Sequence, residues 1–577
     1  MRARALGVLL GGLALLTSGC VGIPDSGPIE EAQTGVEPGE QLGYYNDPRP
    51  PTPGASPTDI VRGFLDAQAA IPLQTNTAEQ FLTEAEASRW RHSRTVTYAA
   101  ASPPQGSNQV AVELDGAKQI DSRGSWLGSL PREEQELTFS MRREDGEWRI
   151  DQAPDALVVP EPWFGQAYRR VSLFYLDPTG QILVPEPVFV PRGDQLATSL
   201  VEALLAGPLT RLRGVERSAV PAGLGIDLSV TPDAQGVAEV NLTGGTAMPS
   251  ERDASLMVAQ LAHTLAQDST LTGFRVTLDG EPVVLPGGLT TFPMDQGQVL
   301  DPVGVQSTSL LFGLADGRLV LGAPGATEPA AGPMGASAPG VRSVGVNLTG
   351  ARVAGVTGDG DEVLVTDVRN ADAAVGTVAS GATDLLPPVW DFADRLWLVD
   401  RTAGGAVVSV VRDGRTRALE VPGVSGRDVS HMLVSRDGSR LVAVVNRPRG
   451  DRVVVSRVEY AGDGRAVDAT PAREISWDDQ PRISVLDVGW ASPTSIAIAH
   501  RLGGDLFQVR TMTVDGAPAG LSGLAAPVQE RPLALVSSPR STDPVYVRTR
   551  SGLVDVLSGS QVVDADPTLG YLTYVGG

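Results

Sequence analysis

The sequence predicts a multidomain chain: a small α+β module, a second α+β domain and an all-β propeller of about six blades. Three observations predict it. A length of 577 residues leaves room for three or four cores at roughly 150 residues each. Hydrophobic spacing changes twice from helical to alternating before residue 300. Beyond residue 307 short strands recur about every 45 residues, the period of propeller blades.

The first element is a leader. Arg2 and Arg4 precede an apolar run over residues 5–16, which ends in Thr17-Ser18-Gly19-Cys20. A basic end, about a dozen apolar residues and small residues at the junction are the anatomy of a signal peptide. The run is shorter than the ~20 residues needed to cross the hydrocarbon core. Its end resembles the bacterial lipobox, with Thr17 where that pattern prefers Leu. The resemblance implies removal of residues 1–19, lipidation of Cys20 and anchoring to the outer face of the plasma membrane; the alternative is an ordinary secretory signal with a coincidental cysteine. Acyl chains contribute about 0.8 kcal/mol per buried CH2, so two or three anchor firmly. Cys20 is the only cysteine, which leaves no internal disulfide and no CxxC site.

Residues 20–57 form a tether rich in Pro, Gly, Glu and Asp, with no apolar period from which to build a core. A coil of this length spans roughly 30 to 35 Å and lifts the folded part clear of the headgroups. In residues 58–160, a helix capped by Ser56, Thr58 or Asp59 carries Ile60, Val61, Phe64 and Leu65 on one face, and a second helix is predicted near 77–90. Alternation follows at Val110 and Val112, at Leu137, Phe139 and Met141, and at Trp148 and Ile150 beyond the turn 144–147. This order of helices and hairpins resembles the NTF2-like modules of envelope proteins.

Residues 161–300 open with a strand at 171–176 and a helix over 194–206, stopped by Gly207-Pro208. A strand pair at 226–230 and 237–242, a helix over 250–267 and a strand at 274–278 complete the domain. The words Leu204-Leu205-Ala206-Gly207-Pro208 and Ala262-His263-Thr264-Leu265 resemble the GerMN domain of germination and envelope lipoproteins. In residues 301–577, strand-turn-strand units start at Val344, Val389, Leu433, Val488 and Leu535, with spacings of 45, 44, 55 and 47. An incomplete unit at 309–322 would be completed by Tyr571-Leu572-Thr573-Tyr574-Val575, closing the ring and covering its edges.

Composition narrows function. Against 68 acidic residues stand 46 basic ones, a net charge of −22 that becomes −24 once Arg2 and Arg4 are removed, so nucleic acid is not expected as a partner. Lys118 is the single lysine, a bias of genomic composition. The four histidines, His92, His263, His431 and His500, show no HxxxH pair; no GxSxG elbow occurs; and Asp359-Gly360-Asp361-Glu362 lacks the spacing of a calcium loop. No catalytic, metal or cofactor set is therefore predicted. Ser435-Arg436-Asp437-Gly438-Ser439-Arg440-Leu441 resembles the blade turns of TolB-like propellers and a degraded sialidase Asp box. Trp163, Trp390, Trp397, Trp477 and Trp490 are expected to pack between elements, with a sugar platform as the alternative.

Signal peptide, lipid cysteine, tether, α+β module, GerMN domain and propeller, in that order, resemble the LpqB family of actinobacterial lipoproteins. The resemblance implies a non-enzymatic accessory that acts outside the membrane on a sensor kinase, MtrB of the MtrA–MtrB two-component system, in envelope homeostasis and division. The competing readings are a wall-glycan-binding lipoprotein and an envelope hydrolase working in the propeller funnel.

Overall fold

The computed structural model describes residues 48–576 apart from 72, 246, 305–306, 478–481, 520–522 and 563–567. Cys20 and most of the tether lie outside the described residues. No helix among the described residues is long and apolar enough to cross a membrane.

The first helix, Pro57–Gln68, is capped by Ser56, whose hydroxyl accepts from the Asp59 amide, and it buries Ile60, Val61, Phe64 and Leu65. The single helix expected near 77–90 is two short ones, Asn76–Glu79 and Glu84–Arg89. Between them the backbone leaves the helix to pair with a strand: the Ile150 amide donates to the Phe81 carbonyl and the Thr83 amide to the Ile150 carbonyl, both at 2.9 Å. Thr83 then caps the next helix by accepting from the Glu86 amide. The module's strands fall into two sheets, one containing Thr95–Tyr98 and Leu157–Pro160 as parallel neighbours, the other built on Gln109–Asp115, Glu136–Glu144 and Glu147–Gln152. Asp145 and Gly146, with φ of 51° and 85°, make the tight turn of the last hairpin.

The second domain begins with the hairpin Tyr168–Leu176 and Leu183–Pro191. Its helix Leu196–Leu205 ends before Gly207, which is left-handed at φ 70°. Strands Val237–Thr243 and Gly273–Leu278 pair in parallel, joined by the helix Glu251–Leu265. The strand expected at 226–230 is only Gly225–Ile226. The chain leaves the sheet because the Val230 amide docks on the Thr198 hydroxyl at 2.9 Å, on the helix Leu196–Leu205.

Among the described residues, six sheets of short antiparallel strands form the propeller. Blade one takes Leu569–Thr573 as its inner strand, paired with Leu311–Ala315 through Phe312↔Thr573, Gly313↔Leu572 and Leu314↔Tyr571, so the chain end closes the ring as its sequence predicts. Blades two to five start at Val341–Val346, Val389–Trp390, Val429–Val434 and Ser484–Ser492, and the three-stranded blade six at Ala534–Val536. Within an antiparallel blade, the first and third turns lie at one end and the second at the other. The first-turn end of blade four meets the second domain, where Arg440 reaches Pro185 and Glu186. The Tyr460 amide, at the end of that blade's third strand, donates to the Gly214 carbonyl at 2.8 Å. Ala517 of blade five joins an apolar cluster with Trp126, Trp163 and Phe164, which ties the N-terminal module to the same end.

Candidate functional site

The inner strands surround an axial cavity of about 120 Å³, lined among others by Trp390, Ser430, His431, Asp487, Leu535 and Tyr571. Two of these strands carry bulges, between Val429 and His431 and between Val485 and Asp487. A bulge breaks the strict alternation of side chains and re-aims them, and here Ser430 and His431 both reach one network. Ser430 Oγ lies 3.0 Å from His431 Nδ1, and His431 Nε2 lies 3.5 Å from Asp487 Oδ1. Asp487 also accepts from the Val488 and Leu535 amides at 2.8 and 2.7 Å. Burial holds its carboxyl above the ordinary value even though the His431 charge and these amides oppose the shift. Tyr571 is pushed up as well, by burial and then by the Asp487 charge.

This arrangement can hold a small polar ligand between an imidazole, a carboxylate and a phenol. Asp487 is the one carboxylate in the described lining, so the pair about 5 Å apart that a retaining glycosidase uses is not assembled there. Tryptophans in and around the lining also stitch the blades together. Trp390 Nε1 donates to the Gly345 carbonyl and Trp490 Nε1 to the Val434 carbonyl, each at 3.1 Å and each across to the preceding blade.

A second cluster sits between the propeller and the second domain. Glu186 Oε1 receives Arg440 Nη2 at 2.6 Å and Arg457 Nη1 at 2.5 Å, while Glu216 Oε2 lies 3.5 Å from Arg457 Nη2. Arg440 lies also 3.9 Å from Asp437 Oδ2, with both side chains 1% exposed. Three carboxyl groups thus face two guanidiniums, and the imbalance falls on Glu216. Burial and then the Glu186 charge raise Glu216 well above the ordinary carboxyl value. Burial also pushes Glu186 up, but Arg457 and Arg440 outweigh it and hold that group low.

The structure separates most of the residues singled out from the sequence. His92 lies against Trp90, His263 contacts the Ala259 carbonyl and Phe174, and His500 is buried beside Trp477; only His431 enters the axial cavity. Among the described residues no group of three or more His, Cys, Asp or Glu side chains is placed to hold a metal. Residues 359–362 form a polar hairpin turn with Gly360 at φ 80°. Trp163, Trp390, Trp397 and Trp490 are buried and Trp477 is half-buried, as packing residues. Ser435-Arg436-Asp437-Gly438-Ser439-Arg440 is a buried turn against the second domain, with Asp437 Oδ1 accepting from the Ser435 hydroxyl and the Ser439 amide at 2.7 Å. Sequence reasoning missed Glu186, Glu216, Arg457 and the Ser430, His431 and Asp487 set. The available signal was a charge inside an apolar run, as Glu186 is in Leu183–Pro191, or at its head, as Arg440 is in Arg440–Val445.

Comparison with known proteins adds three family matches. Residues 50–165 match the N-terminal domain of lipoprotein LpqB, residues 317–565 the LpqB beta-propeller domain, and residues 172–284 the sporulation and spore germination family. Lipoprotein LpqB of Streptomyces coelicolor is 28% identical, covering 96% of this chain and 95% of its own. That of Mycolicibacterium smegmatis is 27% identical, covering 95% and 94%. Among solved structures, the first GerMN domain of the sporulation protein GerM from Bacillus subtilis is 21% identical, covering 22% of this chain and 95% of that one, with a TM-score of 0.19.

Proposed function

The chain belongs to the LpqB family of lipoproteins, and from this premise we propose that it is a non-enzymatic accessory, anchored by lipid on Cys20 to the outer face of the plasma membrane, that engages the ectodomain of an MtrB-like sensor kinase. The observation that carries this reading is the buried ionic junction of Glu186, Arg440 and Arg457. It fixes one end of the propeller to the second domain and leaves the loops of the opposite end as a recognition surface held at a set orientation. Tethering raises the local concentration of that surface at a membrane partner, and preferential binding to one of the partner's states shifts its equilibrium.

Crosslinking in cells, followed by purification and identification of the captured proteins, tests the reading with Cys20→Ala as control. Anchor-dependent recovery of a sensor kinase ectodomain is the expected result; a Cys20→Ala chain that stays lipid-labelled and membrane-bound refutes the anchor. The second reading, a wall-glycan binder or hydrolase working in the funnel, draws on the His431 and Asp487 pair in the axial cavity. Recovery of wall fragments without a kinase favours it.

A further inference from the structure

A cleft of about 800 Å³ opens between the outer strand of blade three, Arg415–Leu419, and the 461–466 turn of blade four. Its apolar lining includes Val410, Ala418, Leu419 and Ala466, and its polar lining four surface guanidiniums, Arg412, Arg415, Arg417 and Arg465. Residues two apart on a strand share a face about 7 Å apart, so Arg415 and Arg417 stand side by side with the buried Leu419.

Charges on the edge of a sheet ordinarily serve to block unwanted strand pairing. Here they converge instead. Arg412 Nη1 is held by the Asp463 carbonyl at 3.0 Å and its Nε lies 3.6 Å from Asp413; Arg465 Nε lies 3.6 Å from Asp463 Oδ2. The Asp463 carboxylate is committed to the Arg465 amide at 3.0 Å, the contact that most lowers its pKa. Arg415 and Arg417 form no ion pair among the described residues. With the buried Arg395 of the lining paired to Asp391 at 2.6 Å, the four surface guanidiniums less Asp413 and Asp463 leave two positive charges in excess, in a chain of net charge −22. The excess is held in place by the fold, since Gly464, whose carbonyl accepts from the buried Arg395, packs closely enough that a Cβ there would stand 3.2 Å from both Arg412 Nη1 and Thr179 Cγ2.

We infer that this cleft between blades three and four binds a phosphorylated sugar, free or as a unit of a phosphate-bearing polymer. Guanidinium forks recognise phosphate bidentately, and two neighbouring forks can share the three terminal oxygens of a monoester or the two of a diester within a polymer. A bare phosphate fills a small part of the volume, and the aliphatic lining gives a sugar body its resting place.

The test is calorimetric titration of the full chain, solubilised in a non-ionic detergent, with glucose 1-phosphate, inorganic phosphate, a poly(glycosyl phosphate) and polyglutamate. Saturable binding of glucose 1-phosphate is expected, at least tenfold tighter than inorganic phosphate. Arg415→Ala with Arg417→Ala weakens it at least tenfold, and Arg447→Ala with Arg449→Ala, at exposed arginines outside the cleft, leaves it unchanged. Tighter, more salt-dependent binding of the polymer assigns the polymer as the source; tighter glucose 1-phosphate assigns the free sugar. The inference is overturned if neither phosphate ligand saturates, if polyglutamate binds as tightly, or if the two double variants behave alike.

Discussion

Arg440→Ala tests the junction most directly. The Arg440 side chain is 1% exposed and donates to the Pro185 carbonyl at 2.5 Å and to Glu186 at 2.6 Å, beside Asp437. Removing one member of a buried ion pair costs about 3–5 kcal/mol, chiefly because the remaining charge keeps its desolvation without its partner. Glu186 retains Arg457 at 2.5 Å, which places the expected loss near the lower bound, about 3 kcal/mol. At about 2.1 cal/mol/K of unfolding entropy per residue, a cooperative unit of roughly 400 residues shifts by about 1 °C per kcal/mol, so the transition falls by ~3 °C. Scanning calorimetry of the full chain measures it, with Arg440→Lys as a comparator that keeps the charge but loses the fork and falls in between. An Arg440→Ala chain that melts within about 1 °C of the parent would refute the desolvated ion cluster as the fastening between these domains.

Glu216→Gln tests the charge imbalance. The folded chain holds Glu216 above the ordinary carboxyl value through burial and then the Glu186 charge. The stability this group contributes is therefore full below that ordinary value and is lost as pH rises from it toward the raised one. The variant should flatten the fall of the melting temperature above about pH 5 and gain on the parent at neutral pH; an unchanged slope removes Glu216 as its source. Gly313→Val tests ring closure, because a Cβ there would stand 2.5 Å from the Tyr571 carbonyl oxygen. It should cost about 1–3 kcal/mol in denaturant unfolding, and an unshifted midpoint counts against the tight pairing of the closing strand.

Features set by neighbouring residues were legible in the sequence. The Ser56 cap, the Gly207 stop and the Asp145-Gly146 turn need only a few residues of context. The blades were legible because one small unit recurs, which also exposed the missing strand of the first unit. What was hidden depends on partners far apart in the chain. The helix expected near 77–90 breaks because Phe81 and Thr83 find Ile150, and the strand after Ile226 stops because Val230 finds Thr198. Glu186 and Arg440 are 254 residues apart, so a charge in an apolar run signals a buried partner without saying which. His431 and Asp487 enter one cavity through bulges, and a bulge shifts the very alternation by which strands are read.

The pairing of Leu569–Thr573 with Leu311–Ala315 also sets an order of events in the making of the protein. A chain made from its N-terminus presents Leu311–Ala315 long before the strand that covers it, so the growing ring carries an open edge until residues 569–573 have been made. Closure of the ring therefore waits on a strand more than 250 residues further along the chain. Products that stop short of residues 569–573 keep the unpaired edge of Leu311–Ala315, a template for pairing with other chains.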